Sequence, residues 1–360
     1  MQSIPLIFRC DASSEIGWGH FKRCYTLAEV AQQSGRYKTH FLCRPLPKSL
    51  EKKVRDIHAS ISILNEQATL EEDLAYLHSM FDLMTRKNVI VCIDHYDWTS
   101  ECFKELKRDP RVVLLVFDDG QSRHYESDFL IDQNLNAEKI SHSTSAHCQQ
   151  LLGPKYTMIR DEIQTLRQSP TERMAESFQF LVTLGGGDRW GHALKAIEAA
   201  KMTSTKFEMH VVVGSQWPHL DKAKRLIGNH PRIHLYEDPS FFPQLLARAD
   251  LALCGGGSTT YELAYLGIPM LTTSLASHQI PIAKTWEEIG IAEYLGPAEA
   301  LTSEKILEKI HYWMERDQEL ENRGIAAQKI IDGRGKFRVL ERSAKLIQAK
   351  IKNSLDVQSA

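Results

Sequence analysis

No run of about 18 consecutive apolar residues occurs in the sequence, and it does not open on a basic leader followed by a long apolar stretch. A membrane span and a secretory signal are therefore not expected. The formal net charge is only −2, so no basic field invites nucleic acid or an anionic membrane surface. Seven cysteines are scattered along the chain without a C-x-x-C pair, which argues against a disulfide framework or a zinc site. A soluble protein of the reducing cytoplasm is the expectation. No H-x-x-x-H or D-x-D pattern appears where the loops carry acids, so neither a metal nor a cofactor is expected.

What is present is the rhythm of α/β architecture. Short β-branched runs alternate with longer amphipathic segments. Strands are predicted over 5–10, 37–43, 61–64, 89–94, 112–117 and 129–132, and helices between them, for example 21–33 and 70–84. Near-continuous runs such as NVIVCIDH and RVVLLVFDD suit strands buried on both faces. The rhythm pauses around the polar segment QTLRQSPTERMAES, with a linker predicted near 165–176, and restarts at FQFLVTLGGGD. With 360 residues, two Rossmann-like doubly wound domains are expected, over 1–165 and 176–360, the second ending in amphipathic helices. Two such domains facing a central cleft would place their strand ends, where ligands bind, on that cleft.

Glycine-rich turns mark the predicted strand-to-helix junctions. In LALCGGGSTTYELAYLG, Gly256 and its neighbours allow close backbone approach, Ser258 or Thr259 is placed to cap the next helix, and that helix terminus favours a diphosphate. Glu262, one turn on, is placed to accept ribose hydroxyls. The turn LGGGD offers Gly186 as a second phosphate contact and Asp188 as a cap or ligand contact. Neither turn fits G-x-G-x-x-G or a Walker motif.

The first predicted junction, DASSEIGWGHFKRC, is different. Gly17 and Gly19 allow the loop to curl, and His20 falls in the first helical turn, where the helix terminus disfavours imidazolium. Asp11 is the group expected to orient its ring. A neutral imidazole there is a general-base candidate for water or for an acceptor hydroxyl. Acids and histidines also end the later strands, and Asp94, His95, Tyr96, Asp118 and His124 are candidates for sugar contacts or for simple helix caps.

Taken in order, RCDASSEIGWGHFKRC, IDHY, FDDGQSRHYESDFLIDQN, YTMIRDEI, LGGGD and GGGSTTYELAYLG resemble the UDP-2,4-diacetamido-2,4,6-trideoxy-β-L-altropyranose hydrolases of pseudaminic acid biosynthesis. The resemblance runs from about residue 5 to 296 and implies a GT-B-like fold with UDP held mainly by the second domain. It places the catalytic histidine at His20, the ribose contact at Glu262, and the acid pair and following histidine at Asp118, Asp119 and His124. It also implies anomeric C–O cleavage with inversion. The pattern departs at 277–279, where His278 stands in place of the family asparagine and Gln279 keeps an amide. A GT-B glycosyltransferase acting on a UDP-sugar and a non-catalytic nucleotide-sugar binder are the alternative readings. The oligomeric state is not legible.

Overall fold

The computed structural model describes residues 3–13, 16–83, 88–168, 177–185 and 188–358, with side chains described to residue 352. The chain divides into two compact units, Met1–Met158 with Arg334–Ala360, and Ile159–Gly333.

The first unit contains, in chain order, β1 (Ile4–Cys10), α1 (Gly19–Gln33), β2 (Tyr37–Cys43), α2 (Lys48–Asp56), β3 (Ser60–Ile63), α3 (Leu70–Leu83) and β4 (Val89–Asp94). It continues with α4 (Ser100–Lys107), β5 (Val112–Phe117), β6 (His124–Tyr125), β7 (Phe129–Asp132), β8 (Ser143–Thr144) and β9 (Gln149–Leu152). Seven strands form one sheet in the order β3-β2-β1-β4-β5-β7-β9, and every pairing is parallel. Every residue of β4 and β5 is buried, the signature of strands covered on both faces. The strand order reverses between β1 and β4, so their carboxyl ends flank the crevice where doubly wound sheets bind ligands.

The second unit opens with α5 (Asp161–Gln168) and β10 (Phe178–Thr183), followed by α6 (Ala193–Lys201), β11 (Phe207–Val213), α7 (Leu220–Ile227), β12 (Ile233–Glu237) and α8 (Phe242–Arg248). Then come β13 (Leu251–Gly255), α9 (Thr259–Leu266), β14 (Met270–Ser274), α10 (Ile280–Glu288), β15 (Ala292–Pro297), α11 (Ser303–Met314) and α12 (Asp317–Ile330). Six parallel strands run in the order β12-β11-β10-β13-β14-β15, so this sheet reverses between β10 and β13. The glycine-rich turn after β13 and the described start of the one after β10, Gly185, sit at that switch point.

The expected domain limits need correcting at the C-terminus. The last helix, α13 (Gly335–Gln358), belongs to the first unit. Its Val339, Leu340 and Ile347 join the buried cluster of β1, β2 and α1, and the Tyr37 hydroxyl donates to the Leu340 carbonyl at 3.3 Å. Gly335 makes this junction possible: a Cβ there would lie 2.3 Å from the Thr157 carbonyl oxygen. The chain thus returns to the first unit within the glycine-containing stretch DGRGK, between Gly333 and Arg334. Of the predicted linker, residues 165–168 close α5, and 169–176 lie outside the described residues.

Candidate active site

The loop after β1 is closed by an antiparallel bridge between Ser13 and Gly17, and Gly17 takes a positive φ of 76° that suits only glycine at low cost. Gly19 begins α1, and no side chain caps the helix at Trp18. His20 is therefore the second helical residue, and it is buried, 7% exposed.

Its partner comes from β4. His20 Nδ1 lies 2.5 Å from Asp94 Oδ1. Arg23, one turn along the same face of α1, donates through Nε to Asp94 Oδ2 at 2.5 Å and through Nη2 to Asp94 Oδ1 at 2.6 Å. The same guanidinium donates to both carboxylate oxygens of Asp119, at 2.7 and 2.9 Å. Asp119 also accepts from the Tyr96 hydroxyl at 3.1 Å and from Asn134 Nδ2 at 3.2 Å. The Tyr96 ring meets the His20 ring edge-on, with centroids 4.4 Å apart. One arginine thus clamps two carboxylates from neighbouring strand ends, a fork geometry lysine cannot reproduce.

The electrostatics follow from this clamp. Burial alone would raise the Asp94 and Asp119 carboxyls, but Arg23 holds both below the usual carboxylate range. An ionised Asp94 at 2.5 Å calls for a proton on His20 Nδ1 and leaves Nε2 turned away from that carboxylate. Among the described residues, no partner of Nε2 is found.

Asp11, expected to orient His20, does not touch it. Its carboxylate accepts from Arg9 Nη1 at 2.7 Å, from the Arg44 backbone at 2.7 Å and from Arg44 Nη1 at 2.6 Å, and it faces His95 Nε2 at 2.9 Å. Burial opposes its ionisation, yet His95 and Arg9 hold it far below the normal range. The reason lies in register: β1 pairs with β4 so that Cys10 stands beside Asp94, one residue short of Asp11. His95 is thereby taken up by Asp11 and Arg44. Arg9 in turn is bound through Nε to buried Asp73 at 2.8 Å.

Asp118 faces away from this network. It accepts the Tyr125 hydroxyl and the backbone amides of Gly120 and Gln121, at 3.1 and 3.0 Å, and lies 3.1 Å from His142 Nδ1. Asp118, Asp132 and His142 bring three donor atoms within 4.8 Å of one another, so the acids of these loops are less dispersed than expected. His124 is exposed on β6, its Nδ1 3.0 Å from Ser143 Oγ, apart from the His20 cluster.

In the second unit, Gly256 is pressed against its neighbour: a Cβ there would lie 2.8 Å from the Gln279 carbonyl oxygen. The Gln279 side chain accepts from Leu275 N at 3.0 Å, which closes the loop after β14 on itself. Ser258 stands at the N-cap of α9 but in helical conformation, and its hydroxyl makes no capping bond. The turn is closed instead by the Thr260 hydroxyl, which donates to the Gly257 carbonyl at 2.8 Å. Exposed Ser258 and half-buried Thr259 thus present their own groups outward. Glu262 is held by a two-pronged ion pair, Arg160 Nε at 2.7 Å and Nη2 at 2.9 Å. His278 is exposed on a short 3-10 turn (Ser277–Gln279). Asp188 acts as a cap: it accepts from the backbone amides of His192 and Ala193, at 2.6 and 3.0 Å. Gly186 lies outside the described residues.

Arg23, Asn134, Arg160 and His142 were not among the residues singled out from the sequence. Only Arg23 carried a local signal, its i, i+3 spacing from His20. The partners of the other three are set by tertiary contacts.

The comparisons bear on this geometry. No protein-family profile matches the chain. It is 27% identical over 265 residues to the UDP-2,4-diacetamido-2,4,6-trideoxy-beta-L-altropyranose hydrolase of Campylobacter jejuni, covering 73% of this chain and 89% of that protein. It is 26% identical over 337 residues to the spore coat polysaccharide biosynthesis protein SpsG of Bacillus subtilis, covering 91% and 94%. Among solved structures, CalG4, the calicheamicin glycosyltransferase, superposes with a TM-score of 0.66 at 14% identity, covering 98% of this chain and 100% of that one. The fold is that of the GT-B glycosyltransferases, with two Rossmann-like units.

Proposed function

We propose that this chain, a member of the UDP-2,4-diacetamido-2,4,6-trideoxy-β-L-altropyranose hydrolase family, hydrolyses a UDP-linked diacetamido-trideoxyhexose in pseudaminic acid biosynthesis. The observation that carries the reading is the pairing of His20 Nδ1 with Asp94 at the switch point of the first sheet, which orients Nε2 to take a proton when the ring is neutral.

In this reading His20 Nε2 takes a proton from water as its oxygen attacks the anomeric carbon from the face opposite the leaving group. The sugar C1–O bond breaks, its electron pair leaves with the UDP β-phosphate oxygen, and the anomeric configuration inverts. Asp94 stabilises the imidazolium that forms, while Arg23 and Asp119 keep Asp94 in place. The Tyr96 ring limits the motion of the imidazole. The turn after β13 receives the diphosphate at the N-terminus of α9, where Ser258 and Thr259 offer hydroxyl and first-turn backbone donors, while Gly256, its own amide given to the Thr273 carbonyl, lets the turn pass close to Gln279. Glu262, fixed by Arg160, accepts the ribose hydroxyls. Gly17 and Gly19 shape the loop that carries His20, and His278 with Gln279 borders the sugar.

The likeness to a glycosyltransferase structure supports a second reading, in which Nε2 deprotonates a sugar hydroxyl instead of water. One incubation separates them. Purified protein with the UDP-sugar and no acceptor yields UDP and reducing sugar in equal amounts if it is a hydrolase. His20→Ala lowers this turnover by about 10²- to 10⁴-fold while UDP still binds. Turnover that appears only when an acceptor is added favours the transferase. A His20→Ala protein as active as wild type removes the assigned mechanism.

A further inference from the structure

Behind Asp119, at the carboxyl ends of β5 and β7, two buried polar atoms face each other. His142 Nε2 lies 3.5 Å from Asp132 Oδ2, their side chains are 1% and 0% exposed, and neither atom has a hydrogen-bond partner. The other ring nitrogen, Nδ1, lies 3.1 Å from Asp118 Oδ2. Asp118 is committed as an anion: it takes the Tyr125 hydroxyl and the Gly120 and Gln121 amides besides the ring. Nδ1 must therefore carry a proton. If Nε2 and Asp132 were both deprotonated, two lone pairs would be opposed in a dry interior at the full cost of burying unpaired polar atoms.

We propose that His142 is held as an imidazolium bridging Asp118 and Asp132, and that this bridge is a positioning element for the His20 network. Its mechanical reach is short. Asp118 is followed directly by Asp119, whose carboxylate is gripped by Arg23. Asp132 accepts from the Asn134 backbone at 2.9 Å, and the Asn134 side chain donates to Asp119 at 3.2 Å. The bridge thus fastens together the two strand ends that supply Asp119 and its support.

The surrounding groups agree. The hydrogen bond to Asp118 raises the affinity of His142 for its proton against the opposing effect of burial, and Asp132 and the Ala137 carbonyl add to it. Burial, with Asp119 and Asp118 nearby, pushes the Asp132 carboxyl up to about 6 against the Asn134 amide and His142, which still leaves it mainly the anion at neutral pH. Among the described residues, Arg123 reaches the cluster through Tyr125, donating to its hydroxyl at 3.2 Å. A divalent cation fits the geometry less well. The three donor atoms lie within 4.8 Å of one another, but the two ring nitrogens turn to different carboxylates and Asp118 already takes the Tyr125 hydroxyl and two backbone amides.

The kinetic consequence rests on the hydrolase reading, but the protonation state does not, and the two are measured separately. In full-length protein labelled with ¹⁵N-histidine, both His142 ring nitrogens are expected to show protonated imidazolium shifts at neutral pH, assigned by their loss in His142→Asn. A neutral-tautomer signature there, or a divalent metal bound stoichiometrically by the purified protein, overturns the proposal. In turnover, His142→Asn is expected to lower kcat by roughly 10- to 100-fold with KM little changed, as for a displaced catalytic group. Asp132→Asn supplies an amide N–H to a neutral ring. It should keep near-wild-type kcat at neutral pH and lose the alkaline fall in kcat that deprotonation of His142 causes. An Asp132→Asn profile identical to wild type counts against the bridge. If no UDP-sugar is turned over at all, the functional reading fails while the ring-nitrogen shifts still decide this inference.

Discussion

The two units have the same doubly wound plan and equip their switch points in opposite ways. At the strand ends of the first, charge is dense: Asp11, Asp94, Asp118, Asp119 and Asp132 are threaded by Arg9, Arg23 and Arg44 and by three histidines. At the strand ends of the second there is glycine, and the buried acid, Asp188, is spent on backbone amides. Beyond the switch point, β12 ends on exposed Glu237 and Asp238, and Glu262, within α9, is paired with Arg160. The contrast has a chemical meaning. A site that moves protons needs groups of opposed charge fixed at hydrogen-bond distance. A site that holds a diphosphate needs bare backbone N–H groups and no side chain in the way.

Breaking the first unit's clamp should have the largest effect. Arg23→Ala leaves Asp94 and Asp119 buried without their counter-charge, and the full chain should lose about 3–5 kcal/mol in urea unfolding. A loss below 1 kcal/mol would mean that these carboxylates are not held as described. The second unit should respond in binding instead. Glu262→Gln removes a charged acceptor, and UDP affinity should weaken by about 1.5–3 kcal/mol with kcat at saturation nearly unchanged. A fall in kcat with unaltered affinity would place Glu262 on the wrong side of the comparison.

The smallest effect sharpens the contrast within the first unit. Asp94 and Asp119, held low by Arg23, contribute stability that is present above the ordinary carboxylate value of about 4 and lost as the pH falls through their lowered values. Asp132 is shifted the other way. Its contribution is complete below about 4 and disappears as the pH rises through about 6. Measured against Asp132→Asn, the wild-type unfolding free energy should therefore decline across that window. A flat difference would show that Asp132 titrates as an ordinary carboxyl.

How much of this was legible in the sequence depended on whether a residue's partner lay nearby in the chain. Strands such as β4 and β5 announced themselves because burial on both faces leaves a continuous apolar run. The position of His20 at a helix start followed from the glycines before it. Its partner did not: Asp11 was nearer in sequence, but strand pairing brings Asp94 to the ring. In the same way, the pattern of α13 showed that it had an apolar face, and nothing in that pattern told which sheet would receive it. Arg160 and His142 find their partners, Glu262 and the two aspartates, only through the fold.

The central claim is that a ring nitrogen of His20 delivers water to a sugar carbon rather than to phosphorus. Turnover in ¹⁸O-enriched water tests it most directly. The heavy oxygen should appear at C1 of the released sugar and be absent from UDP, with the yield collapsing in His20→Ala. Label in the β-phosphate of UDP would contradict it.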